Sequence, residues 1–420
     1  MTADHIHRAI EAVWRMESAR VVGALVRMMR DVGLAEELAQ DALVAALEHW
    51  PRSGIPDNPA AWLMSTARRR AIDRLRRSKR WQQKQAELAF ELHNARDDAI
   101  AGDDGDQPID DDVLRLIFIA CHPVLSPQAQ VALTLRLLGG LATDEIARAN
   151  LVPEPTIAQR IVRAKRTLAN ARVPFEVPRG ADLAARLSSV LAVVYLIFNE
   201  GYSATTGDNW MRPRLCEEAL RLGRVLVALA PDQAEVHGLA ALMELQASRM
   251  HARTSPSGEP ILLLDQDLAR WDQLLIRRGV AALDRAAALG GAHGPYALQA
   301  AIAAFHARAI DAAATDWSGI AAVYDELAAQ TGSPVVALNR AVAIAMAQGP
   351  AVGLALVDGL GSEPALQRYH LLPSVRGDLL QKLGRVDEAA IEFQRAAALT
   401  RNGRERALLL GRAAACAPGM

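Results

Sequence analysis

The densest group of side chains able to bind a ligand is a run of cations near the N-terminus. Positions 68–84 hold one acid, Asp73, and nine basic residues, namely Arg68, Arg69, Arg70, Arg74, Arg76, Arg77, Lys79, Arg80 and Lys84. Positions 87–112 reverse the sign, with ten acids against the single base Arg96. A basic segment of this kind indicates binding to a polyanion such as nucleic acid. The acidic stretch that follows contains glycine and predicts a flexible connection to a second module.

A second group of polar and basic side chains falls on one predicted helix. Residues 143–148 predict a short helix, 150–155 a turn and 156–169 another helix, which together form a helix-turn-helix. One face of the last helix is apolar and has the spacing of a buried stripe, with Ile157, Ile161, Ala164 and Leu168. Another face carries Thr156, Gln159, Arg160 and Arg163. Because Arg and Gln side chains form bidentate hydrogen bonds with base edges, this face is predicted to read the major groove.

The sequence gives least support to an enzyme. It has no phosphate-binding loop, no nucleophile and base pair, and no metal-ligand spacing. Cys121, Cys216 and Cys416 are widely separated, which argues against disulfides and a zinc site. Some acids and aromatics could line a pocket: Glu200, Trp210, Asp265, Asp267, Trp271 and Asp272. Since acids on helical proteins are usually solvated or structural, we expect no catalytic residue, no metal and no cofactor.

The composition favours an all-α fold. Apolar residues make up 51% of the 420 residues and aromatics 4%, so Ala and Leu provide most of the packing, as in helical arrays. A chain of this length is expected to form several packing units. No segment has the uninterrupted apolar length of a signal peptide core or a membrane span. We therefore expect a cytoplasmic protein that does not bind membranes.

Helical periodicity places the basic run on an amphipathic helix. Helices are predicted over 5–30 and 34–50, a loop over Pro51–Pro59 and a further helix over 60–79. In that last helix the core face is predicted to hold Leu63, Ala67, Ala71 and Leu75. The neighbouring, more exposed face then holds Trp62, Thr66, Arg69, Asp73 and Arg76.

The remaining chain predicts a long helical domain. After a linker at 174–180, helical patterns continue from 181 to 415. Turns at Gly349 and Gly384 are 35 residues apart, and each is followed by an apolar helix. The spacing of Ala389, Phe393 and Ala396 after the second turn is typical of a tetratricopeptide-like (TPR-like) helical hairpin. Two to three degenerate repeats are therefore predicted over about 315–415, and a non-repetitive helical segment before them.

Three segments of the chain resemble parts of regions two and four of extracytoplasmic-function (ECF) RNA polymerase sigma factors, and they occur in the same order as in that family. They are residues 35–41 (AEELAQD), Trp62-Leu63 with Ala67, Asp73 and Arg76, and Thr156-Ile157 with Arg160-Ile161 and Arg163-Ala164-Lys165. The C-terminal part, with residues 195–202 (YLIFNEGY), resembles the subgroup that carries a tetratricopeptide-type extension. The resemblance implies a region 2 bundle at 1–86, an acidic flexible linker at 87–111, region 4 at 112–174, a helical extension at 180–300 and TPR-like repeats at 301–415.

The resemblance also implies roles for individual residues. Docking on core RNA polymerase, at the clamp helices of its β′ subunit, is expected for Glu36, Glu37, Leu38, Gln40 and Asp41. Contacts with the minus-10 promoter element are expected for Asn58, Trp62, Thr66, Arg69, Arg70, Asp73, Arg76 and Arg77. Contacts with the minus-35 element are expected for Thr156, Gln159, Arg160, Arg163 and Lys165. Many family members have Asn where this chain has Arg69, and the extra cation is expected to strengthen phosphate contact.

The resulting hypothesis is an alternative sigma factor that acts with core RNA polymerase, including its β flap, on promoter DNA. The C-terminal domain would regulate this activity in cis, and its repeats would bind a peptide or protein ligand. An alternative is a stand-alone helix-turn-helix activator with a ligand- or peptide-sensing repeat domain. A third hypothesis is a scaffold protein that binds several partners through its repeats, but it leaves the basic helix without a role.

Overall fold

The computed structural model describes residues 3–90, 109–150, 152–178, 181–204, 206–207 and 209–416. The chain divides into two compact units, 1–193 and 194–420. The helices of unit 1 are α1 Ala3–Met29, α2 Val32–Ser53, α3 Pro59–Phe90, α4 Ile109–Ala120, α5 Pro127–Leu137, α6 Thr143–Asn150 and α7 Glu154–Asn170. The unit boundary falls within the next helix, α8 Ala181–Tyr202.

Helices α1–α3 pack on one another through the predicted apolar stripes. Leu63, Ala67 and Ala71 of α3 are fully buried, because their spacing keeps them on one face of the helix. Leu75, predicted to lie on the same core face, is only half-buried. Two boundaries of this bundle were predicted wrongly. Helix α3 does not end at 79 but runs on to Phe90. Helix α2 does not stop before Pro51 but runs on to Ser53, so the loop is shorter than predicted. Pro51 is exposed in the last turn, where losing one backbone hydrogen bond costs little, and Gly54 ends the helix with φ 84°.

Helices α4–α7 form the second bundle of unit 1. The predicted helix-turn-helix is present as α6 and α7, and Ile157, Ile161, Ala164 and Leu168 are all buried. Helix α6 begins at Thr143, and the Glu145 carboxylate accepts a hydrogen bond of 2.9 Å from the backbone N–H of Ala142 just before it. Most of the predicted acidic linker lies outside the described residues.

Unit 2 is an array of helices in which each packs against its neighbours in sequence. Its helices after α8 are α9 Pro213–Leu229, α10 Ala234–Ser248, α11 Gln273–Ala288, α12 Pro295–Arg308, α13 Trp317–Thr331, α14 Pro334–Gln348, α15 Pro350–Gly359, α16 Leu371–Lys382, α17 Val386–Leu399 and α18 Gly403–Ala415. The pair α16 and α17 has the packing of the predicted TPR-like hairpin. Phe393 is buried against Gly377, where an added Cβ would lie 2.9 Å from the Phe393 ring.

The predicted all-α fold is confirmed, with one small addition in unit 2. Two-residue strands β1 Thr206–Gly207 and β2 Arg401–Asn402 pair in parallel. The buried Asn402 side chain donates to the backbone carbonyls of Ala204 and Asn209 at 2.9 and 2.8 Å. The first and last parts of unit 2 are therefore tied together. Among the described residues, no helix is long and apolar enough to cross a membrane.

Candidate nucleic-acid interface

The exposed face of α7 gathers four of the five residues predicted to contact the minus-35 element. Thr156, Gln159 and Arg163 are exposed and Arg160 is half-buried. These four side chains line a groove of about 420 Å³ between α7 and the start of α5. The Gln159 amide oxygen accepts a long hydrogen bond of 3.5 Å from Arg163, so both side chains remain available to a ligand. A polar and cationic groove beside a helix that is anchored by four buried residues can accept an edge of duplex DNA.

The start of α5 forms the other side of this groove, which the sequence reasoning missed. Ser126 caps α5, accepting a hydrogen bond of 3.4 Å from the N–H of Ala129, and Gln128 is exposed in the first turn. The free N–H groups of a helix N-terminus favour a phosphate group. The Ser126-Pro127 pair is a recognisable helix start, but only the fold places it next to Arg160.

The long helix α3 presents a row of unpaired cations to solvent. Arg69, Arg76 and Arg77 are exposed, as is Asp73, and none of these three arginines forms an ion pair with a described residue. Arg70 is different, because its guanidinium lies 3.3 Å from the carboxylate of Asp41 on α2. Since both partners are largely exposed, this pair contributes little to stability. In α3, the side chains of Lys79 and of residues 81–90 lie outside the described set.

Two predicted minus-10 residues have structural contacts at the start of α3. The Asn58 side-chain oxygen caps the helix by accepting a hydrogen bond of 3.0 Å from the N–H of Ala61. Trp62 is half-buried and packs edge-to-face on the buried Trp50, with ring centroids 5.5 Å apart. Thr66 is also half-buried, one turn further along. This end of the predicted minus-10 surface is therefore held rigidly against α2.

The predicted polymerase-docking residues on α2 separate into two groups. Glu37 is exposed, and Gln40 and Asp41 are half-buried, so these three can reach a partner. Glu36 and Leu38 are buried, with exposed fractions of 7% and 5%. In this conformation the last two do not face solvent.

Comparison with known proteins gives the family. Residues 13–81 match the family Sigma-70 region 2, and residues 115–168 match Sigma-70, region 4. The ECF RNA polymerase sigma factor SigK of Mycobacterium ulcerans is 31% identical over 162 residues, which cover 36% of this chain and 79% of SigK. This chain belongs to the ECF family of RNA polymerase sigma factors. The resemblance seen in the sequence is thereby confirmed, and 13–81 and 115–168 are called region 2 and region 4 below.

Other relatives show which parts are shared. The probable ECF sigma factor SigI of Mycobacterium tuberculosis is 26% identical over 167 residues, 40% of this chain and 57% of SigI. The uncharacterized protein R00370 of Rhizobium meliloti is 43% identical over 390 residues, covering 93% of this chain and 92% of R00370. Residues 186–287 match a family of unknown function, DUF6596. Yeast Tom70 aligns with a TM-score of 0.31 and 12% identity, over 99% of this chain and 84% of Tom70.

Region 2 and region 4 of this sigma factor pack directly against each other around Glu36. The Glu36 carboxylate accepts a hydrogen bond of 2.6 Å from Arg136 of α5 and another from Lys165 of α7. Burial alone raises the pKa of Glu36, but the charges of Lys165 and Arg136 outweigh it and hold the pKa below its ordinary value. Lys165, predicted to contact the minus-35 element, thus binds a residue predicted to contact polymerase.

Further contacts extend this packing along α1 and α4, and together with the Glu36 pairs we call them the closed interface. Asp112 of α4 is fully buried and pairs with Arg27 of α1 at 3.4 Å and with Arg115 at 2.9 Å. Gly23 lies so close to α4 that an added Cβ would be 3.0 Å from the Asp112 carbonyl oxygen. Asp112, counted among the linker acids in the sequence, is therefore a buried packing residue, because Arg27 and Arg115 neutralise it.

The first half of α8 belongs to the same unit as region 4. Arg186 donates a hydrogen bond of 2.9 Å to the carbonyl of Phe118 and lies over the Phe118 ring. The Ser189 hydroxyl donates to the carbonyl of Cys121 at 3.1 Å. The segment that matches DUF6596 thus begins on the surface of region 4, a contact that the predicted linker boundary did not suggest.

Proposed function

We propose that this ECF sigma factor binds core RNA polymerase and directs promoter-specific transcription initiation. In this proposal α3 contacts the minus-10 element and α7 the minus-35 element, as the residue assignments predict. The observation that carries it is a pair of exposed basic faces, on α3 and α7, each backed by a fully buried apolar stripe within a matching sigma region. Exposed cations supply salt-dependent phosphate contact, and the polar side chains of α7 supply base selectivity.

The closed interface gives the proposal a conformational step. Lys165 cannot neutralise a DNA phosphate while it is bound to Glu36, and Glu36 cannot reach a polymerase subunit while it is buried. We therefore infer that region 2 and region 4 separate when the factor joins polymerase. The β′ clamp helices and the β flap would each bind one region and replace the contacts that are lost. Free factor would accordingly bind promoter DNA weakly.

We infer that the C-terminal domain regulates this step in cis. Support comes from α8, whose first half packs on α4 and the α4–α5 turn through Arg186 and Ser189. A change in unit 2 that moved α8 would alter the support of region 4. A peptide or protein ligand of the repeats, as predicted from the sequence, would act by this route.

The test of the proposed function measures binding of a labelled promoter fragment by fluorescence anisotropy. Promoters are first located by run-off sequencing on genomic DNA with core polymerase. The factor with core polymerase is expected to bind the fragment, whereas neither component alone binds it tightly. Arg160→Ala removes one base-reading candidate and is expected to weaken binding about 5- to 150-fold, since such a contact contributes about 1–3 kcal/mol. The control Arg278→Gln changes an exposed arginine of α11 and should leave binding unchanged.

Tight binding of the fragment by the factor alone, with no gain from core polymerase, would overturn the proposal in favour of a stand-alone activator. Regulation in cis has its own test, the variant Arg186→Gln. It removes the hydrogen bond to Phe118 and should change the amount of run-off transcript without unfolding region 4. Transcript levels equal to those of the wild type would show that this contact transmits no regulation.

A further inference from the structure

Two arginines of unit 2 lie together at the end of α10. Arg249 follows the last residue of α10, and Arg253 follows the short 3-10 turn Met250–Ala252. Arg249 donates a hydrogen bond of 2.6 Å to the hydroxyl of Tyr202, and Arg253 donates to the backbone carbonyl of Tyr202. Arg253 is buried, with an exposed fraction of 8%, and Arg249 is half-buried. Two guanidinium groups are thus gathered around one tyrosine.

Neither guanidinium has an anionic partner among the described residues. Burial lowers the pKa of Arg253, and the nearby charge of Arg249 lowers it too. Other arginines of unit 2 differ, because Arg212 lies 2.6 Å from Glu200 and Arg412 lies 2.6 Å from Asp378. Buried charges in proteins are normally paired, since an unpaired one loses hydration without compensation. Among the described residues, the Arg249 and Arg253 pair thus carries positive charge that no carboxylate balances.

Aromatic rings surround the two cations. The Cζ atom of Arg253 is 3.6 Å from the centroid of the Tyr202 ring and 5.5 Å from that of Trp210. The Cζ atom of Arg249 is 5.6 Å from the Tyr202 centroid and 5.9 Å from that of Trp271. The indole N–H groups of Trp210 and Trp271 are buried, and neither finds an acceptor in the described part of the chain. Cations, unsatisfied donors and flat apolar faces thus occur side by side.

The charge of Arg249 also acts on residues of α12 and α13. Burial, together with the charge of Arg249, lowers the pKa of His306 on α12 to about 4. Burial raises the pKa of Tyr324 on α13 to about 12, and the Arg249 charge opposes that rise. Tyr202 of α8 contacts Arg249 directly, and His306 and Tyr324 lie near enough to feel its charge.

We propose that Arg249 and Arg253 bind a small organic oxyanion, a carboxylate or phosphate monoester carried on a planar apolar group. The guanidinium forks match the geometry of an oxyanion, and the rings of Tyr202, Trp210 and Trp271 would contact the apolar group. The proposal goes beyond promoter recognition and supplies a ligand class for regulation in cis, but the binding itself does not require that function.

The experiment titrates the full-length protein with benzoate and phenyl phosphate by isothermal titration calorimetry and records tryptophan fluorescence. Saturable binding of at least one anion is expected, with a change in fluorescence because two indoles lie beside the site. Inorganic phosphate without a ring should bind at least tenfold more weakly than phenyl phosphate. The cation benzyltrimethylammonium, which has a ring but no oxyanion, should not bind. Comparison of benzoate with phenyl phosphate shows which oxyanion the site prefers.

The variants Arg249→Gln and Arg278→Gln separate the site from surface charge. Arg249→Gln is expected to weaken anion binding at least tenfold, whereas Arg278→Gln, an exposed arginine outside the site, should bind like the wild type. NMR titration of His306 in the presence of phenyl phosphate, which stays anionic at the low pH where His306 titrates, gives a second measurement. A bound anion offsets the Arg249 charge, so the pKa of His306 should rise when phenyl phosphate is present. If Arg249→Gln does not fold, the rise of the His306 pKa in the wild type still tests whether the anion binds next to Arg249.

Three results would overturn the proposal. One is the absence of saturable binding by both anions at tens of millimolar. Another is equal affinity in Arg249→Gln and wild type, which would place the anion elsewhere. The third is a His306 pKa that does not move when the anion binds. Because none of these measurements contains polymerase or promoter DNA, their outcome is independent of the proposed transcriptional function.

Discussion

Replacing Glu36 by Gln is expected to open the closed interface between region 2 and region 4. The variant keeps the shape of the side chain but removes its charge, which leaves Arg136 and Lys165 facing a neutral amide. The three side chains are only 9%, 17% and 19% exposed, so water restores little of the lost interaction. Two charge-assisted hydrogen bonds are weakened, and the expected loss is about 3 kcal/mol. That corresponds to roughly a hundredfold shift towards the open form.

Double electron–electron resonance measures this shift as a change in distance distribution. Spin labels attached to cysteines introduced at the exposed positions 57 and 166 report on region 2 and region 4. Wild type should give one narrow distance, and Glu36→Gln should add a longer, broader one. The control Glu48→Gln makes the same chemical change at an exposed position of α2 and should match the wild type. Identical distributions for Glu36→Gln and wild type would refute the role assigned to Glu36.

The closed interface should also depend on pH, because Glu36 must be charged to bind Arg136 and Lys165. Because the pKa of Glu36 is lowered in the folded protein, its contribution is complete above its ordinary pKa of about 4.5 and is lost as pH falls through the lowered value. Wild type should therefore open below about pH 4.5 in the resonance experiment. The variant Glu36→Gln lacks this carboxyl group and should show no opening caused by its protonation. If the variant still opened in the same pH range as the wild type, another residue would be responsible.

Three further predictions follow from packing and burial. Gly23→Ala should lower the melting temperature, because its Cβ would meet the α4 backbone at 3.0 Å, whereas Gly411→Ala meets nothing within 4 Å and should be neutral or stabilising. Since the pKa of His306 is lowered to about 4, stability should fall by up to about 3 kcal/mol between pH 6.5 and 4, and denaturant titrations of His306→Phe should lack this loss. Burial raises the pKa of Cys121 and of Cys216 to about 12, so native protein should leave both thiols unreacted with a thiol reagent at pH 8, and rapid reaction would contradict their burial.

Helical periodicity was sufficient to place most elements of this chain. The stripes through Leu63 and Ile157 are buried as predicted, and Gly384 forms the turn of the last hairpin with φ 78°. These features depend on local spacing, which the sequence displays directly. The end of α2 was misplaced because a proline breaks a helix only where the lost hydrogen bond and ring clash matter, and at Pro51 the helix is about to end.

The candidate site was predicted less completely, because its long-range contacts leave no local pattern. Glu36 and Glu37 look alike in the sequence, yet one is buried between Arg136 and Lys165, about a hundred or more positions away, and the other is exposed. Asp112 stands at the end of a run of acids, and only the position of Arg27 on α1 makes it a buried partner. Periodicity assigns a residue to a face of its own helix but does not identify the helix that covers it.

Run-off transcription is the measurement that tests the central claim most directly. Purified factor and core RNA polymerase are mixed with a template that carries one promoter located by run-off sequencing. A discrete transcript is expected only when factor, core enzyme and promoter are all present, and Arg160→Ala, but not Arg278→Gln, should reduce it strongly. Transcript that is independent of the factor, or equal transcript from the Arg160→Ala protein, would contradict promoter recognition through the α7 face.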